Sequence, residues 1–399
     1  MTTSPAERAL FTPLRLRSVT LPNRIGVSPM CMYAAPGSVA SDFHVAHLGR
    51  FALGGAGLVM VEATAVEPRG RISPPDLGLW SDEQIPGLAR VAAVIRTAGA
   101  VPGIQLAHAG RRASVREPWR GGLPLDADDA ADGTPPWPIV GPSAVAAADG
   151  WPVPQALDEA GIDVVVDAWA AAARRAVAAG FEVIELHGAH GYLLHSFLSP
   201  VANRRDDAWG GDAERRMHLP LRVVRAVRAA IGELALLYRI SAVDGHEDGL
   251  GIDDTALVAG RLREAGVDLI DVSSGGIVAD RTRDRRIRRG YAFHADLSRA
   301  IRDAGVGPVA TVGLVVDPEQ AAMLVDHGDA DLVLLGRQML DDPNWALHAR
   351  HALGDGATGW PDRYGSAIVP RRRVLAALDE AGETPLDRFR AGLTSPATG

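Results

Sequence analysis

Short runs of β-branched and apolar residues alternate along the chain with longer stretches, rich in alanine and arginine, whose apolar residues recur at helical spacing. Eight such runs occur, and a helical pattern follows each of them. Repeated strand–helix units are typical of a parallel sheet covered by helices. The pattern therefore predicts an α/β fold, a (β/α)8 TIM barrel, with strands over Ile25–Met30, Gly57–Glu62, Pro102–Ala107, Glu182–His187, Ala235–Ser241, Leu269–Ser273, Pro308–Gly313 and Asp331–Gly336.

The helical segments carry recognisable boundary residues. Asp253 or Asp254 is expected to cap the helix that ends at Gly266, because an aspartate side chain accepts hydrogen bonds from the first backbone amides of a helix. An aspartate followed by proline, at Asp317, opens the helix that ends at Gly328.

Three segments lie outside the strand–helix alternation. Residues 10–22 alternate at Leu14–Leu16 and Val19–Leu21, which predicts a small N-terminal hairpin that plugs the barrel. Residues 116–154, after the third strand, are too long for an ordinary loop, and their prolines and tryptophans favour a packed lid. The tail, residues 354–399, is interpreted as a surface extension or an oligomer contact. We expect one domain over residues 1–399.

Composition excludes several classes of function. The 399 residues are 47% hydrophobic and 23% charged, an ordinary globular balance, and the net charge is -8. No lysine occurs, so all 41 basic positions are arginine, and Schiff-base, pyridoxal-phosphate and phosphate-loop chemistry that needs a lysine is excluded. A net acidic chain is also a poor partner for nucleic acid or an anionic membrane.

The chain contains one cysteine, Cys31. A single cysteine excludes an intramolecular disulfide and any four-cysteine zinc or iron–sulfur site within one chain. The sequence shows no apolar run of membrane-spanning length and no secretory pattern at its start. We therefore expect a cytoplasmic protein that works on small molecules.

Catalytic and binding residues of such barrels lie at the carboxyl ends of the strands. The polar and glycine-rich segments at these ends are the candidates for chemistry. They are Pro29–Tyr33, Glu62–Thr64, Gln105–His108, His187–Tyr192, Arg239, Ser273–Gly276, Thr311–Gly313 and Gly336–Arg337.

The glycines after the last three strands are placed where barrels commonly bind phosphate. Backbone N–H groups and a helix N-terminus can surround an anion there, and Arg337 can add a bidentate contact. Any one of these glycines on its own is more often a turn residue. Their occurrence on three successive strands, with serines and an arginine, indicates a phosphate site.

His187 and His190 allow two functional interpretations, and they could also be two structural histidines without a chemical role. With His108 they could bind a metal in a hydrolase, although such a site needs further ligands on other strands. Alternatively, both imidazoles donate hydrogen bonds to a substrate oxygen that becomes negative. Gln105 and Arg239 would face the same cavity and suit a planar group that gains negative charge, such as a reduced flavin ring. Arg239 could instead be a structural ion-pair partner.

Several long motifs, in their order along the chain, resemble those of one family. This is the Old Yellow Enzyme family of FMN-dependent ene-reductases, and in particular its bacterial thermophilic-like branch. The resemblance spans nearly the whole predicted barrel. It is carried by Leu10–Leu14, Leu21–Ile25, Ser28–Tyr33, Gly103–Arg111, His187–Leu193, Phe197–Pro200, Asn203–Arg205, Trp209–Gly211 and Asp271–Gly275.

The resemblance implies a non-covalent FMN, reduced by NADPH or NADH, that passes hydride to the β-carbon of an activated alkene. Tyr192 is implied as the proton donor to the α-carbon, His187 and His190 as the pair that holds the substrate oxygen, and Tyr33 as a substrate contact. Cys31 is implied to modulate the flavin without acting as a nucleophile. The implied flavin-ring contacts are Pro29, Met30, Cys31, Ala63, Gln105 and Arg239, and the implied ribityl and phosphate contacts are Ser274, Gly275, Gly313, Gly336 and Arg337.

The chain departs from the family pattern at its C-terminus. This branch of the family places an arginine in the neighbouring subunit's site shortly after a tyrosine, whereas here Ser366 stands at that place after Tyr364. A homodimer or homotetramer is implied by the resemblance. The competing hypotheses are a reductase of CoA thioesters or an N-demethylase-like relative, the metal-dependent hydrolase, and a flavin-binding barrel without catalytic activity.

Overall fold

The computed structural model of the chain describes residues 8–280, 287–354 and 360–387. Eight parallel strands in this part of the chain close into a barrel, and the last of them pairs with the first. The fold is therefore the predicted (β/α)8 barrel. The strands, in chain order, are β1 (Leu14–Leu16), β2 (Val19–Leu21), β3 (Ile25–Val27), β4 (Leu58–Ala65), β5 (Val101–Ala107), β6 (Val140–Gly141), β7 (Gln155–Ala156), β8 (Val183–Gly188), β9 (Ala235–Ser241), β10 (Leu269–Ser273), β11 (Val309–Thr311) and β12 (Leu332–Leu335).

Helices follow the barrel strands and cover the outside of the barrel. The described helices, in chain order, are α1 (Asp42–Leu53), α2 (Ile85–Thr97), α3 (Ala127–Ala131), α4 (Glu159–Ala178), α5 (Leu193–Leu198), α6 (Ala213–Ile231), α7 (Ile252–Ala265), α8 (Ala295–Asp303), α9 (Pro318–Asp326), α10 (Arg337–Asp341), α11 (Trp345–Ala352) and α12 (Asp362–Glu380). None of these helices is both long enough and apolar enough to cross a membrane.

All eight predicted barrel strands are present, but the predicted end of the first strand was wrong. β3 ends at Val27 instead of Met30, because Pro29 has no N–H to continue the ladder; the last amide to pair is that of Ser28, which donates to the Leu335 carbonyl at 2.9 Å. β4 runs to Ala65 instead of Glu62, since a bulge after Val61 lets its pairing with β5 resume.

One of the two predicted helix caps was also wrong. Asp317 caps α9 as expected, and its carboxylate accepts from the amides of Glu319 and Gln320. The cap of α7 is Gly251, not either predicted aspartate. Asp254 is the third residue of that helix, and its carboxylate accepts from the Gly251 N–H at 2.9 Å.

The barrel interior is apolar at its N-terminal end. The hairpin of β1 and β2 closes this end, and its leucines pack against inward residues of the barrel strands such as Leu237 and Leu269. Large and small residues alternate within this layer. A side chain at Gly103 would lie 2.2 Å from the sulfur of Met60, so the glycine leaves the space that Met60 fills.

Residues 116–154 are folded against the barrel through their aromatic side chains. Trp137 donates its indole N–H to the Arg69 carbonyl at 3.1 Å. Trp151 packs on the apolar cluster that also contacts Tyr192. Trp119 lies in a 3-10 turn at Pro118–Arg120 and is 69% exposed. The segment therefore reaches the carboxyl end of the barrel, where the candidate residues lie.

The C-terminal tail forms α12, and nearly all of its side chains are exposed. Ser366 lies on this helix, and its hydroxyl donates to the Arg363 carbonyl at 3.4 Å. Trp360, just before the helix, stacks with the guanidinium of Arg372. Residues 355–359 and 388–399 of the predicted extension lie outside the described residues.

We predict that Leu21→Ala destabilises the barrel by about 2–5 kcal/mol, because Leu21 is fully buried in the plug and its truncation leaves a cavity. The free energy of unfolding in urea, followed by circular dichroism, measures the effect. Thr20→Ala, on the exposed face of the same strand, is the matched control and should change the stability by less than about 0.5 kcal/mol. Equal stability of the two variants would show that the plug does not support the barrel.

Candidate functional site

A polar layer lies directly above the apolar layer of the barrel. Inward residues occur at every second position of a strand, so the series that begins with Leu237 and Leu269 continues to Arg239 on β9 and Asp271 on β10. On β8 the same alternation leads to Glu185 and His187. Along β8, β9 and β10 the inward side chains thus change from apolar to ionisable within one step.

The structure brings His187 and His190 together above this layer. Nε2 of His187 lies 3.3 Å from Nδ1 of His190, and the two rings are 5.1 Å apart. The loop is fixed by two serines. The Ser241 hydroxyl accepts from the His190 backbone N–H at 3.0 Å, and the Ser273 hydroxyl lies 2.7 Å from Nε2 of His190. His190 has a left-handed backbone (φ 59°), an unusual conformation for a non-glycine residue that the serine contacts stabilise.

Both imidazoles are neutral in this environment. Burial lowers the pKa of His187 well below its ordinary value, and the nearby Arg239 charge lowers it further. Burial, followed by the neighbouring His187 and Arg239, lowers the pKa of His190 in the same way. A neutral imidazole carries one N–H, so the pair can donate hydrogen bonds to an oxygen without carrying a positive charge.

Tyr192 lies beside the histidine pair at the start of α5. Its ring centroid is 4.6 Å from that of His187, and the side chain is half-buried. A buried contact fixes the start of this helix. The Gly191 N–H donates to Nδ1 of His195 at 2.8 Å, and Nε2 of His195 donates to the Asp244 carboxylate at 2.7 Å. The phenol therefore sits at a fixed position at the wall of the site.

The loop after β3 carries Cys31 and Tyr33 to the same wall. The ring of Tyr33 packs edge-on against Trp119 with centroids 5.6 Å apart, and its backbone is left-handed (φ 53°). The Met32 N–H donates to the carboxylate of Glu62, which holds the loop in place. Cys31 packs with Tyr192 on the apolar cluster that includes Ala63. Burial raises the pKa of the Cys31 thiol well above its ordinary value, so the thiol is protonated and a weak nucleophile.

Gln105 and Arg239 face each other across a hydrogen-bonded network within the polar layer. The amide nitrogen of Gln105 donates to Glu185 at 2.7 Å. Arg239 donates to the Ser28 hydroxyl at 3.0 Å and lies 3.3 Å from the Asp271 carboxylate. Arg239 is therefore an ion-pair partner of Asp271, and its side chain also lines the cavity described next.

A cavity of about 190 Å³ opens beside Arg239 at the carboxyl ends of β10 to β12. Its walls include Gly313, Gly336 and Arg337. Ser274 does not line the cavity. Its hydroxyl lies 2.8 Å from Nε2 of His294, and His294 lines the cavity. The Gly275 N–H donates to the Val243 carbonyl at 2.7 Å, so this amide is used within the fold and is not a bare anion donor as the glycine pattern had predicted.

The residues around this cavity suit the phosphate of an FMN. Gly336 immediately precedes α10, and the first amides of a helix have no partners within it. Arg337 is exposed, and within residues 8–280, 287–354 and 360–387 no hydrogen bond or ion pair engages its guanidinium. A side chain added at Gly336 would be 3.7 Å from the sulfur of Met30, so this wall of the cavity adjoins the Pro29–Met30 loop.

Several residues of the site were missed by the sequence analysis. Glu185 and Asp271 are fully buried in the polar layer, and His294 lines the cavity. Arg112 donates to the carbonyls of His190 and Gly276 at 2.8 and 2.7 Å, and so ties two of the strand-end loops together. Glu185 and Asp271 could have been predicted as inward residues from the alternation of positions along β8 and β10. The sequence around Arg112 gives no signal of its contacts.

A metal site is not formed by the three histidines considered above. Both ring nitrogens of His108 are engaged, one with the Glu67 carboxylate at 2.6 Å and the other with the Gly110 N–H at 3.0 Å. In the described ranges, no three His, Cys, Asp or Glu side chains are grouped so that they could hold a metal ion. The geometry favours the hydrogen-bonding interpretation of the histidine pair.

Comparisons with known proteins identify the family of the chain. Residues 9–355 match the model of the NADH:flavin oxidoreductase / NADH oxidase family. An NADPH dehydrogenase of Geobacillus thermodenitrificans is 42% identical over 349 residues, which are 86% of this chain and 94% of that protein.

Solved structures show the same barrel. Morphinone reductase is 27% identical and superposes with a TM-score of 0.70 over 88% of this chain and 91% of its own. The old yellow enzyme homologue from Zymomonas mobilis is 26% identical, with a TM-score of 0.69 over 86% of this chain and 92% of its own. The chain therefore belongs to the NADH:flavin oxidoreductase / NADH oxidase family, and it is an FMN-dependent oxidoreductase.

Proposed function

We propose that the protein takes hydride from NADPH or NADH and reduces the C=C bond of activated alkenes, namely α,β-unsaturated carbonyl compounds and nitroalkenes. The observation that carries the proposal is the neutral histidine pair with Tyr192 beside it, because oxyanion donors and a proton donor are what this reduction requires of a protein. When bound, FMN supplies the hydride from its N5 atom.

The cofactor would be held without a covalent bond by residues on both sides of the cavity. Gly313, Gly336 and Arg337, which all line the cavity, would surround the phosphate. Ser274 and Gly275 would contribute to the ribityl end through their neighbours. The ring would lie against the residues of the strand-end loops and the polar layer, which are Pro29, Met30, Cys31, Ala63, Gln105 and Arg239.

His187 and His190 would bind the substrate oxygen. The Ala189 N–H donates to Nδ1 of His187, which places the proton of that ring on Nε2. The Ser273 hydroxyl can donate to Nε2 of His190, which leaves its proton on Nδ1. The two N–H groups then lie side by side, with their nitrogens 3.3 Å apart, and one oxygen in front of both nitrogens could accept from both.

Tyr192 would protonate the α-carbon, and Tyr33 would contact the substrate. The phenol lies next to His187, so a carbonyl or nitro group held by the histidines places its α-carbon toward this side of the site. Trp119 packs on Tyr33 and would limit how the outer part of the substrate lies. The protonated Cys31 thiol lines the same wall and takes no covalent role.

The proposal extends to the setting of the enzyme. Its partner would be the small-molecule substrate, an activated alkene. The protein would work in the cytoplasm and would assemble as a homodimer or homotetramer. Support for assembly comes from α12, which has exposed apolar residues at Val374, Leu375 and Leu378.

An anaerobic visible spectrum tests the function. The purified protein, loaded with FMN, should show a flavin band that bleaches with NADPH and returns when cyclohexenone is added. Bleaching without return would remove activated alkenes as the substrate class, and the absence of bleaching would leave a flavin-binding barrel without catalytic activity.

Tyr192→Phe should separate the two halves of the reaction. The variant should still be reduced by NADPH, while its reoxidation by cyclohexenone slows roughly 10²- to 10⁴-fold, because general acid catalysis by the phenol is lost. Stopped-flow absorbance at the flavin band measures both rates. Tyr291→Phe, on an exposed tyrosine, is the control. Unchanged reoxidation in Tyr192→Phe would assign the proton to another donor.

His187→Ala should weaken the binding of phenolate ligands, which mimic the substrate oxyanion, at least tenfold. One hydrogen bond to a charged acceptor contributes about 1.5–3 kcal/mol, and about 1.4 kcal/mol corresponds to a factor of ten. Titration of 4-hydroxybenzaldehyde against the flavin absorbance gives the dissociation constant. The exposed His327→Ala serves as the control. Equal affinities in the two variants would contradict the oxyanion role of the pair.

A further inference from the structure

One side chain in the wall of the cavity at the carboxyl ends of β10 to β12 has no role in the proposed function. His294 immediately precedes α8 and is 4% exposed, and it lines the same cavity as Gly313. Both of its ring nitrogens have partners. Nδ1 lies 2.6 Å from the Val312 carbonyl oxygen, and Nε2 lies 2.8 Å from the Ser274 hydroxyl. The ring therefore joins the loops after β10 and β11 beside the cavity.

The two partners determine the position of the proton on the His294 ring. A carbonyl oxygen only accepts, so Nδ1 carries the hydrogen and donates it to Val312. The Ser274 hydroxyl can donate to the unprotonated Nε2. Burial lowers the pKa of His294 to about 4, so the ring is neutral at physiological pH. A neutral imidazole with both nitrogens engaged has no N–H left for an anion, and any effect of His294 on an anion must pass through its partners.

The Val312 carbonyl belongs to the same peptide group as the Gly313 N–H. Peptide groups are planar and trans, so this N–H points away from the side on which His294 holds the carbonyl. Within the part of the chain that the structure describes, no hydrogen bond engages the Gly313 N–H. This amide is therefore available to a ligand, in contrast to the Gly275 N–H, which is used within the fold.

Glycine at position 313 makes the orientation of this peptide group depend on its contacts. Gly313 has φ 127°, which other residues adopt only with strain, and glycine adopts negative φ values equally well. The backbone alone therefore does little to prevent a rotation that would exchange the places of the Val312 carbonyl and the Gly313 N–H. Such a rotation would present the partial negative charge of a carbonyl oxygen where the N–H had been, and a phosphate would be repelled. The hydrogen bond from His294 opposes this rotation.

Packing of two rings adds to the restraint. A side chain at Gly313 would lie 2.9 Å from Cε1 of Phe293 and 3.0 Å from Nδ1 of His294, so both rings lie directly against the glycine. The centroids of the two rings are 4.0 Å apart. The Ser274 hydroxyl holds the His294 ring from its other edge. His294 thus contacts the peptide group at its carbonyl and at the glycine that follows.

We propose that His294 is a positioning residue of the phosphate site: its Nδ1–H holds the Val312–Gly313 peptide so that the Gly313 N–H, and not the carbonyl, meets the phosphate of FMN. The inference deepens the proposed function and rests on it for the place of the phosphate. His294 donates nothing to the anion itself. Arg239 and Arg337, which line the same cavity, supply the positive charge.

Two substitutions at position 294 separate the hydrogen bond from the shape of the ring. His294→Asn keeps an N–H in place of Nδ1 and removes the ring, whereas His294→Phe keeps a ring and removes both nitrogens. His294→Asn should bind FMN within about threefold of wild type, and His294→Phe should bind it roughly tenfold more weakly. Quenching of flavin fluorescence, on titration into the full chain freed of FMN, measures each dissociation constant. The exposed His327→Phe is the control and should match wild type.

Riboflavin distinguishes positioning of the phosphate from a structural role, because it has the same ring and ribityl chain without the phosphate. Wild type, His294→Asn and His294→Phe should bind riboflavin with equal affinity. An equal loss of FMN and riboflavin affinity in His294→Phe would show a general loss of structure at the cavity and would overturn the proposal. Tighter FMN binding by His294→Phe than by His294→Asn would also overturn it, since the shape of the ring would then matter and the hydrogen bond would not.

These measurements need no turnover, so the proposal and the proposed function fail separately. Thermal unfolding without FMN checks that each variant is folded, and His294→Leu, which also lacks a donor, replaces His294→Phe if that variant does not fold. Alkene reduction by wild type, with an unchanged preference for FMN over riboflavin in the variant without a donor, would retain the function and reject the positioning role. A selective loss of FMN affinity in a protein that reduces no alkene would do the reverse.

Discussion

The closing of the barrel between β12 and β3 is the constraint on which the site depends. These strands are some 300 residues apart in the sequence, and their pairing places Val333 opposite Ile25 and Leu335 opposite Val27. The segment at Gly336, which follows β12, thereby adjoins the Pro29–Tyr33 loop from the N-terminal half of the chain. The cavity beside Arg239, which is lined by residues between 239 and 338, lies next to this seam.

The alternation of inward and outward residues then determines which chemistry appears at each height of the barrel. The lower positions hold Leu237 and Leu269, and one step higher the same strands present Arg239 and Asp271. Burial at this height favours the neutral form of each group unless its charge is paired, so it lowers the pKa of a histidine and raises the pKa of a thiol. The histidines become neutral donors, and Cys31 remains a thiol.

The fold was predictable from the sequence because strand periodicity and glycine or aspartate boundaries are local signals. The ends of the strands were less predictable than their existence. In β3 the apolar pattern continues to Met30, but Pro29 stops the hydrogen-bond ladder. The candidate residues at strand ends were found from their position. The left-handed backbones of Tyr33 and His190, and the contacts of Arg112, depend on distant parts of the chain and leave no local signal. The amide of Gly275 shows the converse, since a glycine that fits the pattern is used inside the fold.

The seam between β3 and β12 also links occupancy of the cavity to the mechanics of the whole barrel. The Ser28 N–H bonds to β12, the Ser28 hydroxyl accepts from Arg239, and Gly336 continues directly from β12 into the cavity wall. A molecule bound there would contact Gly336, which follows β12, and Arg239, which is hydrogen-bonded to Ser28 at the end of β3, and so would resist the opening of the seam. Since a ligand that binds only the folded state raises the free energy of unfolding by mass action, the melting temperature of this barrel becomes a function of the free FMN concentration. The heat resistance of the protein then depends on how much free FMN surrounds it as well as on its own sequence.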